Sequence, residues 1–293
     1  MHLSLGFSPC PNDTFIFDAL VHGRIDTEGL SFDVHLADVE ELNRRAFAGE
    51  LDVTKLSYHA YGHLTGDYQL LDAGSALGRG VGPLLVTADR QLWARTQVQG
   101  EVDWSKVIAE AAPVAIPGEY TTANYLLGLA LPHLTNKQEV LFSDIEDRVL
   151  SGEFTAGLLI HENRFTYHER GLHKLLDLGE YWEQTTHLPI PLGGIVAKRS
   201  LPDEVILKLD LVLSRSVAYA FQHPEASAEY VATHAQEMDP VVRRQHIDLY
   251  VNPYTQSLGV NGQAAVDAFL RQGRKRGVLP ASAARGLDDM TNP

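Results

Sequence analysis

Residues 156–164 read A-G-L-L-I-H-E-N-R, and the rest of the sequence can be ordered around this stretch. Leu158, Leu159 and Ile160 form a short unbroken apolar run, which is typical of a strand buried on both faces. The run ends in His161, and polar residues follow. In open α/β sheets, ligands bind beyond the carboxyl ends of the strands. The stretch therefore predicts a buried strand that delivers a histidine to a binding edge.

A histidine at such an edge is a candidate general base, because an unperturbed imidazole titrates near neutral pH. The chain contains 13 histidines, however. A histidine at a strand end is more often a surface or hydrogen-bonded residue than a catalytic one. Position alone therefore leaves both interpretations of His161 open.

Strand-like and helix-like segments alternate on both sides of this stretch. Alternating apolar residues predict strands at 32–36 and 53–56, and helical periodicity follows each of them. From Pro202 onward, four helical segments follow one another. Such alternation without long structureless linkers predicts an α/β protein with mixed, mostly parallel sheets and helices on both faces.

The pattern also predicts two lobes. The α/β runs separate near residues 84–87 and rejoin near Ile195, and the helical tail is expected to return to the first lobe. We expect a larger discontinuous lobe of residues 1–87 and 195–293, a smaller lobe of residues 88–194, and a ligand-binding cleft between them. Gly193 and Gly194 precede the second crossing, where they would serve either as a hinge or for tight packing.

The composition argues against several classes of protein. The formal net charge is −14, from 24 basic and 38 acidic residues, which disfavours a nucleic-acid or anionic-membrane surface. The single cysteine, Cys10, can form no internal disulfide, and a CxxC metal site is absent from the sequence. The N-terminal residues do not read as a signal peptide, and no apolar run is long enough to cross a bilayer. A cytoplasmic protein is expected.

Three loops carry candidate ligand contacts. The loop 8–14, S-P-C-P-N-D-T, places Asn12 before a predicted helix, and 117–123, P-G-E-Y-T-T-A, leads into another helix. Helix N-termini offer backbone N–H groups to anions. The glycine-rich segment 74–83 carries Arg79 but matches neither a dinucleotide-binding nor a Walker loop. Ordinary capped turns and a close-packed connector are the alternative interpretations.

Several blocks, in this order, resemble the 1,4-dihydroxy-6-naphthoate synthases of the futalosine route to menaquinone. They are L-G-F-S-P-C-P-N-D-T-F-I-F at 5–17, D-V-T-K-L-S-Y-H-A-Y at 52–61, A-L-G-R-G-V-G-P-L at 76–84, G-E-Y-T-T-A at 118–123 and A-G-L-L-I-H-E-N-R-F-T-Y at 156–167. The resemblance covers nearly the whole chain and is less clear after about Gly277. It implies a fold like that of type II periplasmic binding proteins, which agrees with the two predicted lobes.

The resemblance also implies a reaction and a site. The substrate would be cyclic dehypoxanthine futalosine, a small anionic molecule, and the product 1,4-dihydroxy-6-naphthoate, with no metal or redox cofactor. His161 would be the proton acceptor. Five residues would bind substrate, namely Lys55, Leu56, Ser57, Thr122 and Ala123. A homodimer is expected on the same ground.

Other interpretations stay open beside this one. Lys55 would alternatively be a solvated lysine at a strand end. Asn12 and Arg79 are candidate contacts on the ground of their loops alone. For the whole chain, the alternatives are the chorismate dehydratase of the same pathway and a non-catalytic solute-binding protein. The T-K-L-S-Y and I-H-E-N-R-F blocks favour the synthase over the dehydratase. The lack of a signal-peptide pattern and the candidate base at the cleft argue against a solute-binding protein.

Overall fold

The computed structural model describes residues 1–96, 113–236 and 239–281. The strands, in chain order, are β1 (His2–Phe7), β2 (Ser31–Leu36), β3 (Val53–Ser57), β4 (Tyr68–Leu70), β5 (Ala76–Gly78), β6 (Leu84–Thr87), β7 (Val114–Ile116), β8 (Lys137–Glu139), β9 (Ala156–Leu159), β10 (His173–Asp177) and β11 (Ile190–Lys198).

The described helices are numbered in the same way. They are α1 (Pro11–Val21), α2 (Val39–Phe47), α3 (Tyr58–Leu64), α4 (Arg90–Thr96), α5 (Thr122–Ala130), α6 (Ile145–Leu150), α7 (Asn163–Thr166), α8 (Leu178–Thr186), α9 (Asp203–Gln222), α10 (Ala228–His234), α11 (Pro240–Tyr250), α12 (Pro253–Gln256) and α13 (Gly259–Lys275). Along the described residues, no helix is both long and apolar enough to cross a membrane.

The chain divides into two compact units. The first comprises Met1–Gly78 and Pro191–Pro293, and the second comprises Arg79–Ile190. The expected boundaries lay at residues 87 and 195, so both are corrected. The first moves because β6 pairs with β9 and β10 of the second sheet. The second moves because β11 already pairs with β3 at Gly193.

The sheet of the first unit has the strand order β2-β1-β3-β11-β4, and β5 also pairs with β11. Strand β1 runs parallel to β2 and β3, whereas β11 runs antiparallel to β3 and β4. The sheet is therefore mixed, and it is less parallel than the sequence indicated. A sequence pattern can predict that β11 is a strand, but it does not predict whether β11 runs parallel or antiparallel to its neighbours.

The helical tail packs on the first unit, as expected. The buried apolar residues of helix α9 recur every three to four positions and therefore lie on one face of the helix. Those residues share one apolar core with strand β1 and helix α1, and they include Val205, Leu209, Val212 and Val217. Helix α1 contributes Phe17, whose ring stacks on Phe7 of β1 at a centroid distance of 4.3 Å.

Gly193 and Gly194 lie in the ladder between β11 and β3, opposite Ser57 and Leu56. A Cβ at Gly193 would lie 2.8 Å from the Leu56 carbonyl oxygen, and one at Gly194 would lie 2.6 Å from Cδ1 of Leu70. Both distances are too short for a side chain. The structure therefore supports the interpretation that these two glycines allow tight packing.

The sheet of the second unit has the order β10-β6-β9-β7-β8. Strand β7 runs parallel to β8 and β9, whereas β6 runs antiparallel to β9 and β10. All four residues of β9 are buried, which confirms the strand predicted from the apolar run. Val86, Ala115 and Leu159 share an apolar core with Ile145 and Val149 of α6.

Candidate functional site

His161 lies two residues beyond the end of β9 and has a backbone φ of 57°. Residues other than glycine seldom adopt this left-handed region. Within the described ranges, two other non-glycine residues do so, Glu28 in a turn and His187 at the C-cap of α8, where such a conformation is common. Backbone strain at a polar residue beyond a strand end is typical of functional sites.

The surroundings of His161 are set by three parallel neighbours, β8, β7 and β9. Their carboxyl ends meet at one edge of the sheet. Strand β9 leads to His161, β7 leads through a turn to the N-terminus of α5, and β8 leads to Phe142. The rings of His161 and Phe142 pack edge to face with centroids 4.9 Å apart. The two predicted segments of this unit, His161 and Thr122-Ala123, therefore follow strands whose carboxyl ends lie at the same edge of the sheet.

The turn before α5 is held by its own side chains. The Thr121 hydroxyl caps the helix, because it accepts a bond of 3.3 Å from the Asn124 N–H and donates one of 2.8 Å to the Gly118 carbonyl. The Asn124 amide donates to the Glu119 carbonyl over 2.8 Å. Thr122 and Ala123, both buried, form the first turn of α5, where helical N–H groups have no intrahelical acceptor.

Lys137 adds a positive charge to this turn. Its ammonium donates to the Asn124 side-chain oxygen over 2.6 Å. Burial lowers the pKa of the Lys137 ammonium, and the Glu119 carboxylate opposes that shift. The sequence analysis did not identify Lys137, because the residue belongs to a neighbouring strand and has no local motif.

Arg164 fixes the segment that follows His161. Its guanidinium contacts the carbonyl oxygen of Gly82 and lies 3.6 Å from the Asp177 carboxylate. Asp177 in turn caps α8 by accepting bonds from the Gly179 and Glu180 N–H groups. Through Arg164, the short helix α7, which begins two residues after His161, is held against the segment that leads into β6 and against the N-cap of α8.

In the first unit, Lys55 lies at the middle of the wholly buried strand β3. Its residue is 6% exposed, and its ammonium nitrogen lies 2.7 Å from Oδ1 of Asp13. The alternative interpretation of Lys55 as a solvated strand-end lysine is therefore wrong. The lysine forms one half of a buried ion pair that the sequence analysis did not foresee.

Ser57 ends the same strand and is oriented by Asn43 of α2. The Asn43 side chain accepts a bond of 3.0 Å from the Ser57 N–H and donates one of 3.2 Å to the Ser57 hydroxyl. It also donates to Glu40 over 3.0 Å. Leu56, between Lys55 and Ser57, is fully buried. Asn43 was missed, although a buried amide on the apolar face of α2 is a signal.

Asn12 and Lys55 are brought together by Asp13. The Asn12 amide nitrogen lies 2.9 Å from Oδ1 of Asp13, the oxygen that also accepts from Lys55. The Asn12 oxygen lies 2.8 Å from Nε2 of His246 on α11. Both ends of the Asn12 amide are therefore engaged within the protein.

Arg79 lies in the second unit and contacts α8 and its C-cap. Its guanidinium donates to the His187 carbonyl over 2.9 Å and lies 3.5 Å from the Glu183 carboxylate. A Cβ at Gly82 would lie 2.3 Å from the Gly179 backbone. These contacts support the interpretation of the glycine-rich segment as a close-packed connector. In the part of the chain that the structure describes, no three His, Cys, Asp or Glu side chains group as metal ligands would.

Known proteins of one kind resemble this chain along almost its whole length. A family described as menaquinone biosynthesis matches residues 3–275. A 1,4-dihydroxy-6-naphthoate synthase of Streptomyces coelicolor is 46% identical over 286 residues, which cover 95% of each chain. The synthase of the same name from Thermus thermophilus is 45% identical over 280 residues, which cover 96% of this chain and 97% of the relative.

Solved structures agree about the fold. A protein from Archaeoglobus fulgidus is 33% identical, with a TM-score of 0.84 and coverage of 95% of this chain and 98% of that chain. A Candida albicans protein described as having the generic periplasmic binding protein fold is 12% identical, with a TM-score of 0.68 and coverage of 96% and 92%. The second likeness concerns the fold alone. It confirms the periplasmic-binding-protein-like fold expected from the sequence.

Proposed function

This chain belongs to the 1,4-dihydroxy-6-naphthoate synthase family and is an enzyme of menaquinone biosynthesis, and we propose that it is the lyase that converts cyclic dehypoxanthine futalosine to 1,4-dihydroxy-6-naphthoate. The observation that carries the proposal is the placement of His161. A histidine with a strained backbone lies at the carboxyl edge of three parallel strands, the edge at which β7 leads into α5.

The chemistry suits this placement. The reaction removes the sugar-derived part of the substrate by carbon–carbon cleavage while a second ring becomes aromatic. It needs a base to accept a proton and donors to stabilise developing oxyanion charge. We assign the first role to the His161 imidazole. We assign binding of an anionic or oxyanionic group to the first turn of α5, at Thr122 and Ala123.

The first unit supplies groups of the kind that bind an anionic substrate. The Lys55 ammonium provides a positive charge within a buried strand, where a charge interacts more strongly than in water. The Ser57 hydroxyl provides a neutral donor whose direction is set by Asn43. We propose that the segment Lys55-Leu56-Ser57 binds substrate through these two side chains and the intervening main chain.

The test is incubation of the purified protein with cyclic dehypoxanthine futalosine, followed by mass spectrometry of the products. We expect 1,4-dihydroxy-6-naphthoate to accumulate, and we expect a parallel incubation with chorismate to leave chorismate unchanged. Loss of water from chorismate, or no product from the futalosine compound, would contradict the proposal. Lack of any turnover together with tight binding of either compound would favour a solute-binding protein.

We also propose that the reaction needs no metal or redox cofactor, because proton transfer and oxyanion stabilisation can both be assigned to side chains and backbone groups of this chain. Dialysis against EDTA should leave the turnover rate unchanged within about twofold. A loss of activity that added divalent cations restore would overturn this part of the proposal.

A further inference from the structure

We propose that Asp13 is a positioning residue that fixes the Lys55 ammonium, and that His246 supports Asp13 through Asn12. This inference rests on the proposed function, in which Lys55 binds substrate. The five residues concerned are called the Asp13 network and are Ser8, Asn12, Asp13, Lys55 and His246.

The Asp13 carboxylate is surrounded by donors. Its Oδ1 accepts from Lys55 over 2.7 Å and from Asn12 over 2.9 Å. Its Oδ2 accepts from the Ser8 hydroxyl over 2.7 Å and from the Ser8 N–H over 3.2 Å. Four donors occupy the lone pairs of an ionised carboxylate and leave none to accept a proton from a substrate. Asp13 is therefore suited to hold its neighbours in place rather than to react.

The Lys55 side chain has little freedom. The residue is 6% exposed, and a Cβ at Gly193 would lie 3.3 Å from Cε of Lys55, so the lysine stem packs directly on the β11 backbone. A buried ammonium is strongly favoured to stay with a charged partner. Because Gly193 limits the stem and Asp13 holds the nitrogen, the ammonium occupies one defined position.

The direction of the remaining hydrogen bonds follows from Asp13. An ionised carboxylate only accepts, so the Asn12 amide nitrogen must face Asp13 and its oxygen must face His246. His246 Nε2 is therefore the donor in the 2.8 Å contact with Asn12. His246 is 1% exposed and lies on α11, so this contact connects the C-terminal helices to the position of Lys55.

Asp18 supplies a matched control, because it is a second buried carboxylate on the same helix α1. Asp18 is 2% exposed and lies 2.9 Å from Nδ1 of His22 and 3.3 Å from Nε of Arg24. Neutralising either residue removes a buried charge, but only Asp13 leaves a buried partner behind, because the side chains of His22 and Arg24 are 43% and 36% exposed. Asp13 contacts a proposed substrate-binding residue, whereas the ion-pair partners of Asp18 belong to the end of α1 and the residues after it.

The experiment compares Asp13→Asn, Lys55→Met, the double variant and Asp18→Asn, each checked for folding by circular dichroism. We expect Asp13→Asn to raise KM for cyclic dehypoxanthine futalosine about tenfold with kcat within about threefold, because ground-state binding is lost. The double variant should be no worse than Lys55→Met, since Asp13 acts through Lys55. Asp18→Asn should leave KM unchanged. Equal KM values for Asp13→Asn and Asp18→Asn, or multiplying effects in the double variant, would overturn the proposal.

A second pair of variants decides the matter if Asp13→Asn does not fold. His246→Leu removes the donor to Asn12, whereas the amide of His246→Gln can replace it. We expect His246→Leu to raise KM about threefold and His246→Gln to stay near the wild type. Equal KM values for the two variants would contradict the role of His246. A wild type without turnover overturns the proposed function, whereas an active wild type with unaltered variants overturns only the role of the network.

Discussion

The two units hold their proposed functional groups in opposite ways. In the first unit, Lys55 is buried and its position is fixed by side chains, with Asp13 in direct contact. In the second unit, His161 is half-buried and its position is fixed by a strained backbone, with an aromatic ring beside it. A permanent charge in a protein interior needs built-in partners, whereas a base must stay accessible to the proton that it removes.

The largest effect is expected at His161. His161→Ala should lower kcat by about 10²–10⁴-fold with the fold intact, because removal of a general base costs about that much. His187→Ala is the control, since His187 has the same left-handed backbone but caps α8. Turnover would be followed with saturating substrate. A folded His161→Ala protein with near wild-type turnover would remove His161 from the mechanism.

A smaller but still large effect is expected on the stability of the first unit. Asp13→Asn should lower the free energy of unfolding by about 3–5 kcal/mol, because it leaves the Lys55 ammonium buried beside a neutral group. Glu28→Gln removes the partly exposed ion pair with Arg215 and should cost at most about 1 kcal/mol. Urea unfolding of both variants measures the difference. Similar losses would show that burial does not distinguish the two pairs.

A third prediction concerns the turn at the edge of the second sheet. Thr121→Ala should cost about 1 kcal/mol of stability, because it removes the hydroxyl cap of α5. Thr121→Ser keeps a hydroxyl and should cost less. The same Ala variant should weaken binding of the naphthoate product, which calorimetry would measure. Unchanged stability in Thr121→Ala would mean that Asn124 and Lys137 hold the turn without the cap.

The smallest expected effect depends on pH. Partial burial alone would raise the pKa of the Asp52 carboxyl, but the Ser4 N–H and hydroxyl together with Lys198 hold it below its ordinary value of 3.8. A lowered folded-state pKa contributes stability above the ordinary value, and this contribution is lost as pH falls below it. Asp52→Asn should therefore be less stable than the wild type at pH 7, and the difference should shrink below about pH 4.

Asp26→Asn, at an exposed position, is the control for the general effect of replacing an aspartate by asparagine. Equal stability of Asp52→Asn and the wild type at pH 7 would show that the bonds to Ser4 and Lys198 contribute nothing. A difference that does not begin to shrink as the pH falls below the ordinary pKa of the carboxyl would also contradict the linkage.

The sequence patterns predicted the strands and helices that depend on the spacing of apolar residues along the chain. The apolar run before His161 predicted β9, and the periodicity after Pro202 predicted α9 and its return to the first unit. The unit boundaries were displaced, since a strand pattern does not say which sheet a strand joins. Gly193 and Gly194 were ambiguous in the sequence because glycine serves both motion and close approach, and the close approach became visible only with the neighbouring strands in place.

The residues of the proposed site could be identified where they lie near strand ends, whereas contacts between distant parts of the chain could not be foreseen. Ser57 ends a strand, and His161 and Thr122 lie two and six residues beyond strand ends, so their positions could be proposed from the sequence. The partner of Asn12 is His246, separated from it by 234 positions, and such a pairing leaves no periodic mark. Asn43 was detectable in principle, because a fully buried amide on an apolar helix face requires a hydrogen-bond partner.

The pairing of β3 with β11 has a consequence for synthesis of the chain on the ribosome. Strand β3 finds one neighbour, β1, early, but its other neighbour emerges only after the whole second unit has been translated. Until then β3 forms the open edge of a nascent sheet, and such an edge invites pairing with other chains. A lysine at the centre of that edge strand disfavours intermolecular pairing. In the unfinished chain, we therefore expect Lys55 to protect β3 against pairing with other chains.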